Sequence, residues 1–125
     1  MTPEEARIFA DRWAEAWNRR DLDTLLRHFD DGVVFSSPKA LDTVGAPTVV
    51  GRRNLRDYWQ AALSRIEQLT FSVDRVLWDA GRVELAIIYD RKVNGHRDRA
   101  VEVLRFSAKR DVASGEVFYG VRPQP

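Results

Sequence analysis

Residues 83–90 alternate without a break, with Val83, Leu85, Ile87 and Tyr89 interleaved between Glu84, Ala86, Ile88 and Asp90. Side chains of a strand point to opposite faces with period two, so this run predicts a strand whose odd positions face a core and whose register cannot slip. Arg91 continues on that inward face. Three turn sequences, Asp79-Ala80-Gly81, Asn94-Gly95 and Ala113-Ser114-Gly115, divide the last third of the chain into strands near 69–79, 82–94, 97–110 and 116–122. Consecutive strands joined by tight turns predict an antiparallel meander.

The first half follows the other period. Ala6, Phe9, Ala10, Trp13, Ala14 and Trp17 recur at helical spacing, which predicts a helix over 3–18. Thr2 caps it, Pro3 has the φ of a first helical residue, and Glu5 completes a Thr-x-x-Glu capping box. Asp21 caps a second helix carried by Leu22, Leu25, Leu26 and Phe29, which Asp30-Asp31-Gly32 is expected to end in a turn. Residues 33–37 read as a short strand stopped by Pro38, and 38–50 as an irregular rim or lid. Leu55, Tyr58, Trp59, Ala62, Leu63 and Ile66 mark a third helix over 52–67. Helices first and antiparallel strands afterwards predict an α+β fold, one domain over residues 1–125, with helices on one face of a curved sheet.

Two stretches carry a family resemblance. The run Arg12-Trp13-Ala14-Glu15-Ala16-Trp17-Asn18-Arg19-Arg20-Asp21-Leu22-Asp23 and the later His28-Phe29-Asp30-Asp31, Val34-Phe35-Ser36-Ser37-Pro38, Gly51, Leu55 and Tyr58-Trp59 resemble the SnoaL-like branch of the nuclear transport factor 2-like superfamily. The resemblance implies a cone: a strongly curved antiparallel sheet wraps three N-terminal helices and leaves an apolar pocket between the first and third. It also implies a choice of chemistries, from ketosteroid isomerases and polyketide cyclases to epoxide hydrolases, dehydratases and non-catalytic binding proteins, so function rests on the site. By the same resemblance the isomerase base falls at Ser37, the isomerase tyrosine at Trp13 and the second oxyanion acid at Glu102. A hydroxyl without a neighbouring base does not abstract a carbon-bound proton near neutral pH, and an indole N–H donates without relaying a proton, so ketosteroid isomerisation in its known form is not expected.

Strand parity reaches the same acid. Ala100, Glu102, Leu104 and Phe106 share one face, placing the Glu102 carboxyl in apolar company near Tyr89 and Arg91. Burial raises a carboxyl pKa and a guanidinium lowers it, which leaves a poised acid and a buried Arg91–Glu102 pair as alternatives. Asp98 is able to point inward near the hairpin, whereas Asp90 points out, and an epoxide hydrolase would need such a second inward carboxylate. The candidate catalytic residues are therefore Glu102, Ser37 and Trp13, and the candidate substrate-binding residues Trp17, Phe35, Tyr58, Trp59, Tyr89 and Arg91. His28 is expected exposed, His96 in a hairpin turn, and Trp78 at the surface or an interface.

Composition narrows the partners. No cysteine and only two separated histidines argue against a metal site, and no cofactor is expected. Twenty basic against nineteen acidic residues leave a formal net charge of +1, which does not by itself suggest a nucleic-acid or membrane partner, and neither is expected. The expected ligand is a small apolar molecule bearing oxygen, held either by an acid/base enzyme or by a binding module. The acidic start Met1-Thr2-Pro3-Glu4-Glu5 lacks the basic region of a signal peptide, so the expected location is the cytoplasm. Val101, Val103 and Ile88 fall on the outer face of the sheet, from which a homodimer is expected.

Overall fold

The computed structural model describes residues 1–122. The first helix, α1, spans Pro3–Asn18 and buries Ala6, Ala10, Trp13, Ala14, Ala16 and Trp17. Its capping box is closed: the Glu5 backbone N–H donates to the Thr2 hydroxyl at 3.1 Å, and the Thr2 N–H donates to the Glu5 carboxylate at 3.0 Å. The C-terminal end is fixed by side chains as well. Asn18 donates to the Phe71 carbonyl at 3.0 Å and accepts from the Phe71 N–H at 2.7 Å, pairing α1 with a strand 53 residues away. Arg20, with φ of 58°, turns the chain and donates to the carbonyls of Leu63, Ile66 and Glu67 at the C-terminal end of another helix, where cationic donors are favoured. Asp21 then accepts from the Thr24 N–H and starts α2, Leu22–Leu26.

Helix α2 stops three residues short of Phe29. Strand β1 covers Phe29–Ser36, so Asp30-Asp31-Gly32 lies inside a strand and not in a turn. Phe29, Val33 and Phe35 share one face and enter the core at 2 % exposure or less, while Asp31 of the same parity stays exposed where the pairing of β1 slips between Phe29 and Val34. The rim expected over 38–50 is ordered too: α3, Pro38–Val44, is capped by the Ser37 hydroxyl and ends on Gly45 in the left-handed region, and β2 is Thr48–Val50. Helix α4 is Arg52–Ser64. The molecule thus has four helices among its described residues, not three.

Four further strands follow: β3 Leu69–Asp79, β4 Glu84–Val93, β5 His96–Phe106 and β6 Val112–Gly120. They form one sheet with β1 and β2 in the order β2-β1-β6-β5-β4-β3. The sheet is mixed rather than wholly antiparallel, because β1 pairs β6 in parallel while the other four pairings are antiparallel. Register shifts in β1, β3 and at the β5–β6 pairing bend the strands, as bulges do, and the sheet curls around α1 and α4. Val83 belongs to the β3–β4 turn, where its φ is 53°, and is exposed; the inward alternation begins at Leu85. Trp78 packs half-buried against the core, edge-on to Phe106, and is not a free surface residue. Among the described residues no helix is long and apolar enough to cross a membrane.

The β5–β6 turn is at 107–111, closed by the Ser107 N–H to the Asp111 carbonyl at 2.7 Å, so Ala113-Ser114-Gly115 are strand residues. Gly115 serves close approach instead of a turn: a Cβ there would lie 2.8 Å from the buried Phe35 ring and 3.2 Å from Leu104. Gly115→Ala therefore overpacks the β1–β6 contact, a loss of about 1–3 kcal/mol against a gain of about 0.5–1 kcal/mol from chain entropy. Urea unfolding should show a net destabilisation, and an unchanged or raised midpoint would contradict this packing.

Candidate functional site

Strand β5 carries Glu102 at its centre, opposite Ile87 of β4 and Val117 of β6. The side chain is 3 % exposed. One partner reaches it from α1: the Trp13 indole N–H donates to Oε2 at 3.1 Å. Trp13 is itself held edge-on by Tyr89 at 4.8 Å and stacked on Phe71 at 5.7 Å between ring centres. No donor among the described residues takes Oε1, and Glu102 lines a cavity of about 160 Å³.

Desolvation is the largest influence on this carboxyl and raises its pKa to about 8, against weaker lowering by the Trp13 hydrogen bond and the charge of Arg91. One neutral donor replaces only part of the hydration a carboxylate loses, so the proton stays on at neutral pH. Arg91, although close, is engaged elsewhere. Its Nη1 donates to both oxygens of Asp98 at 2.7 and 2.8 Å, which leaves Glu102 without a salt bridge and decides between the two arrangements open from sequence. Asp98 does point inward, opposite Arg91 across the β4–β5 hairpin, and Asp90 lies outward against Arg99 and Arg122.

The cavity gathers most of the residues singled out from sequence: Glu102, Ser37, Trp17, Phe35, Tyr58, Trp59, Tyr89 and Arg91 all line it. Trp13 does not; it stands behind Glu102 as its hydrogen-bond donor. Ser37 is buried at the N-terminus of α3, where its hydroxyl accepts from the Lys39 N–H at 3.2 Å. Tyr58 and Tyr119 lie beside that hydroxyl, and burial raises both phenols, Tyr119 to about 12, so both remain protonated donors. Tyr119 was not anticipated. It faces inward two residues beyond Val117, and Lys39 and Arg91 lie over its ring at 4.7 and 4.8 Å. Phe118 puts an aromatic on the opposite face of the same strand, so alternation alone does not single out Tyr119. The Trp17 indole N–H is buried without a partner and its ring meets Trp59 edge-on at 4.9 Å. His28 is exposed and His96 lies at the start of β5, away from the cavity.

The curled sheet enclosing a cavity beside α1 and α4 defines a nuclear transport factor 2-like, cystatin-like fold. The chain belongs to the SnoaL-like domain family, whose model matches residues 10–116. A SnoaL-like protein of unknown function from Burkholderia thailandensis is 30 % identical, with a TM-score of 0.83 over 96 % of this chain and 98 % of that one. A protein of unknown function with a cystatin-like fold from Methylobium petroleophilum is 18 % identical, with a TM-score of 0.77 over 100 % of this chain and 81 % of that one. A Kribbella flavida protein whose name, ketosteroid isomerase, is provisional is 17 % identical, with a TM-score of 0.73 over 98 % of this chain and 83 % of that one. No curated protein shows significant sequence similarity.

A raised carboxyl pKa has a stability signature. Between the ordinary value of 4.5 and about 8 the folded chain holds a proton that the unfolded chain has lost. This contribution is therefore fully present below the unfolded pKa and is lost as pH rises through the folded one, at roughly 1.4 kcal/mol per pH unit between them. Urea titrations should show wild type losing stability relative to Glu102→Gln across that window; parallel curves would contradict a neutral Glu102.

Proposed function

We propose that the cavity binds a small, largely apolar molecule through a carbonyl oxygen, and that the protonated Glu102 carboxyl donates to that oxygen. The observation that carries this reading is the division of the two carboxyl oxygens: Oε2 takes the Trp13 indole, while Oε1 has no partner among the described residues and its carboxyl lines the cavity. The phenols of Tyr58 and Tyr119 supply further donors, and Phe35, Trp59 and Phe71 supply apolar walls. About 160 Å³ is close to the engineered cavity of about 150 Å³ that accepts benzene, so a single small ring fits and a four-ring steroid does not.

A polarised carbonyl is the common requirement of isomerisation, dehydration and cyclisation, and an acid with a pKa near neutrality suits all three. The second reading, a binding module without turnover, is favoured by one feature of the lining: Glu102 is its only carboxylic acid among the described residues. Asp98 is held by Arg91, and the hydroxyl of Ser37 is committed to the α3 cap. Turnover therefore requires Glu102 to take a proton as well as give one.

The outer face of the sheet is also part of the proposal. Phe118 is 51 % exposed and pairs with Val101 across β5 and β6, and Val34 and Leu77 are exposed on the same sheet. A second copy of the chain covers this apolar surface. Sedimentation should give a dimer for wild type and a monomer for Phe118→Glu; a monomeric wild type would refute it.

Calorimetric titration with 2-cyclohexenone, at several pH values, tests the site itself. Affinity should be constant below the Glu102 pKa and fall about tenfold per pH unit well above it, because an ionised carboxyl cannot donate. Glu102→Gln should bind without that pH dependence, since its amide still donates. A pH-independent wild type, or no binding at all, would overturn the reading, and product formation from the enone would separate enzyme from binding module.

A further inference from the structure

A second concavity, larger than the one at Glu102, lies elsewhere on the molecule. A groove of about 580 Å³ lies between α1, α2 and the β5–β6 turn and shares no lining residue with the Glu102 cavity. Its floor is apolar, formed by Ile8, Phe9, Ala16, Leu25 and Phe106, and Ile8 is half exposed. Phe9 and Phe106 meet edge-on at 5.4 Å, which makes the floor a rigid surface.

Its rim is cationic. Arg12, Arg27 and Arg110 line the groove and are exposed. Most arginines of this chain are ion-paired, but none of these three forms a salt bridge or a side-chain hydrogen bond among the described residues. The titratable side chains facing them are His28 and Glu5, and Glu5 is already bound to the Thr2 N–H as half of the capping box. Three guanidiniums thus stand against one committed carboxylate.

Backbone conformation adds a second observation. Arg110 has φ of 66°, a region that disfavours side chains with a Cβ. Three polar residues of this chain accept that conformation. Arg20 uses its side chain on three carbonyls, and Asn94 uses its own on the N–H groups of Glu67 and Gln68. Arg110 has no such internal use, and its guanidinium is displayed at the groove.

We propose that this groove is a second ligand site, and that it takes an alkyl carboxylate, with the head group at Arg12, Arg27 and Arg110 and the chain along Ile8, Phe9 and Phe106. An apolar floor alone would accept any oily molecule; the three unpaired guanidiniums select an anion, and a carboxylate matches their planar fork. The volume lies within the range of small-molecule sites, roughly 300–1,000 Å³, whereas the Glu102 cavity is below it. Trp13 lines this groove and also donates to Glu102, so its fluorescence should respond to occupancy.

Calorimetry of the full chain with octanoate and with 1-octanol tests the proposal. Wild type should bind octanoate about tenfold or more tightly than octanol, and the double variant Arg12→Gln/Arg110→Gln should lose that preference while keeping its circular dichroism spectrum. Ile8→Glu, at an exposed position, places a carboxylate on the floor and should weaken octanoate further than octanol. Octanoate binding unaffected by the arginine substitutions would put the anion elsewhere, and equal affinity for acid and alcohol would remove the role of charge. No octanoate binding up to millimolar concentration would overturn the site altogether.

Discussion

A single carboxyl buried in an aromatic core sets the terms for this molecule. An isolated carboxylate at the position of Glu102 would carry a desolvation cost of several kcal/mol, which the surroundings do not offset with a salt bridge. The structure meets it by retaining the proton and by supplying one indole donor from α1. Everything that holds α1 in register with β5 therefore bears on the state of the acid. Asn18 pins α1 to β3, Arg20 ties the following turn to the end of α4, and Trp13 is wedged between Phe71 and Tyr89.

Charge is segregated on the concave face to make this possible. Arg91 is the one guanidinium buried there, and its commitment to Asp98 leaves it lowering the Glu102 pKa only at a distance. Had it turned to Glu102, the carboxyl would be an ionised acceptor, and the cavity would present no acid near neutral pH. The fold is shared with a relative at 30 % identity and with much more distant proteins, so it does not decide this question; the disposition of one arginine and one indole does.

Where local chemistry and tertiary packing agree, the sequence was legible. The Thr2/Glu5 box, the α1 stripe and the parity of Leu85, Ile87 and Tyr89 with Ala100, Glu102 and Leu104 all reach the structure intact, and with them the acid. The two misplaced turns share one cause, which is that turn-forming residues also serve strands when a partner strand requires them. Asp30-Asp31-Gly32 takes up the irregularity of β1, and Gly115 yields space to Phe35; neither need is visible without the parallel β1–β6 pairing. Helix α3 buries only Ala40, so it has no apolar period to detect, although Ser37-Pro38 and Gly45 mark both of its ends. Tyr119 lies in the expected strand near 116–122, where adjacent Phe118 and Tyr119 give each face an aromatic and alternation alone does not say which is buried.

The most direct test of this account is the pKa of Glu102 itself, read from the side-chain carboxyl carbon by NMR in a glutamate-labelled chain and assigned by loss of the signal in Glu102→Gln. A midpoint close to 8 is expected, well above the ordinary glutamate value of 4.5. A midpoint at or below the ordinary 4.5 would mean that Glu102 is ionised and accepts hydrogen bonds only, and the acid at the centre of this site would not exist.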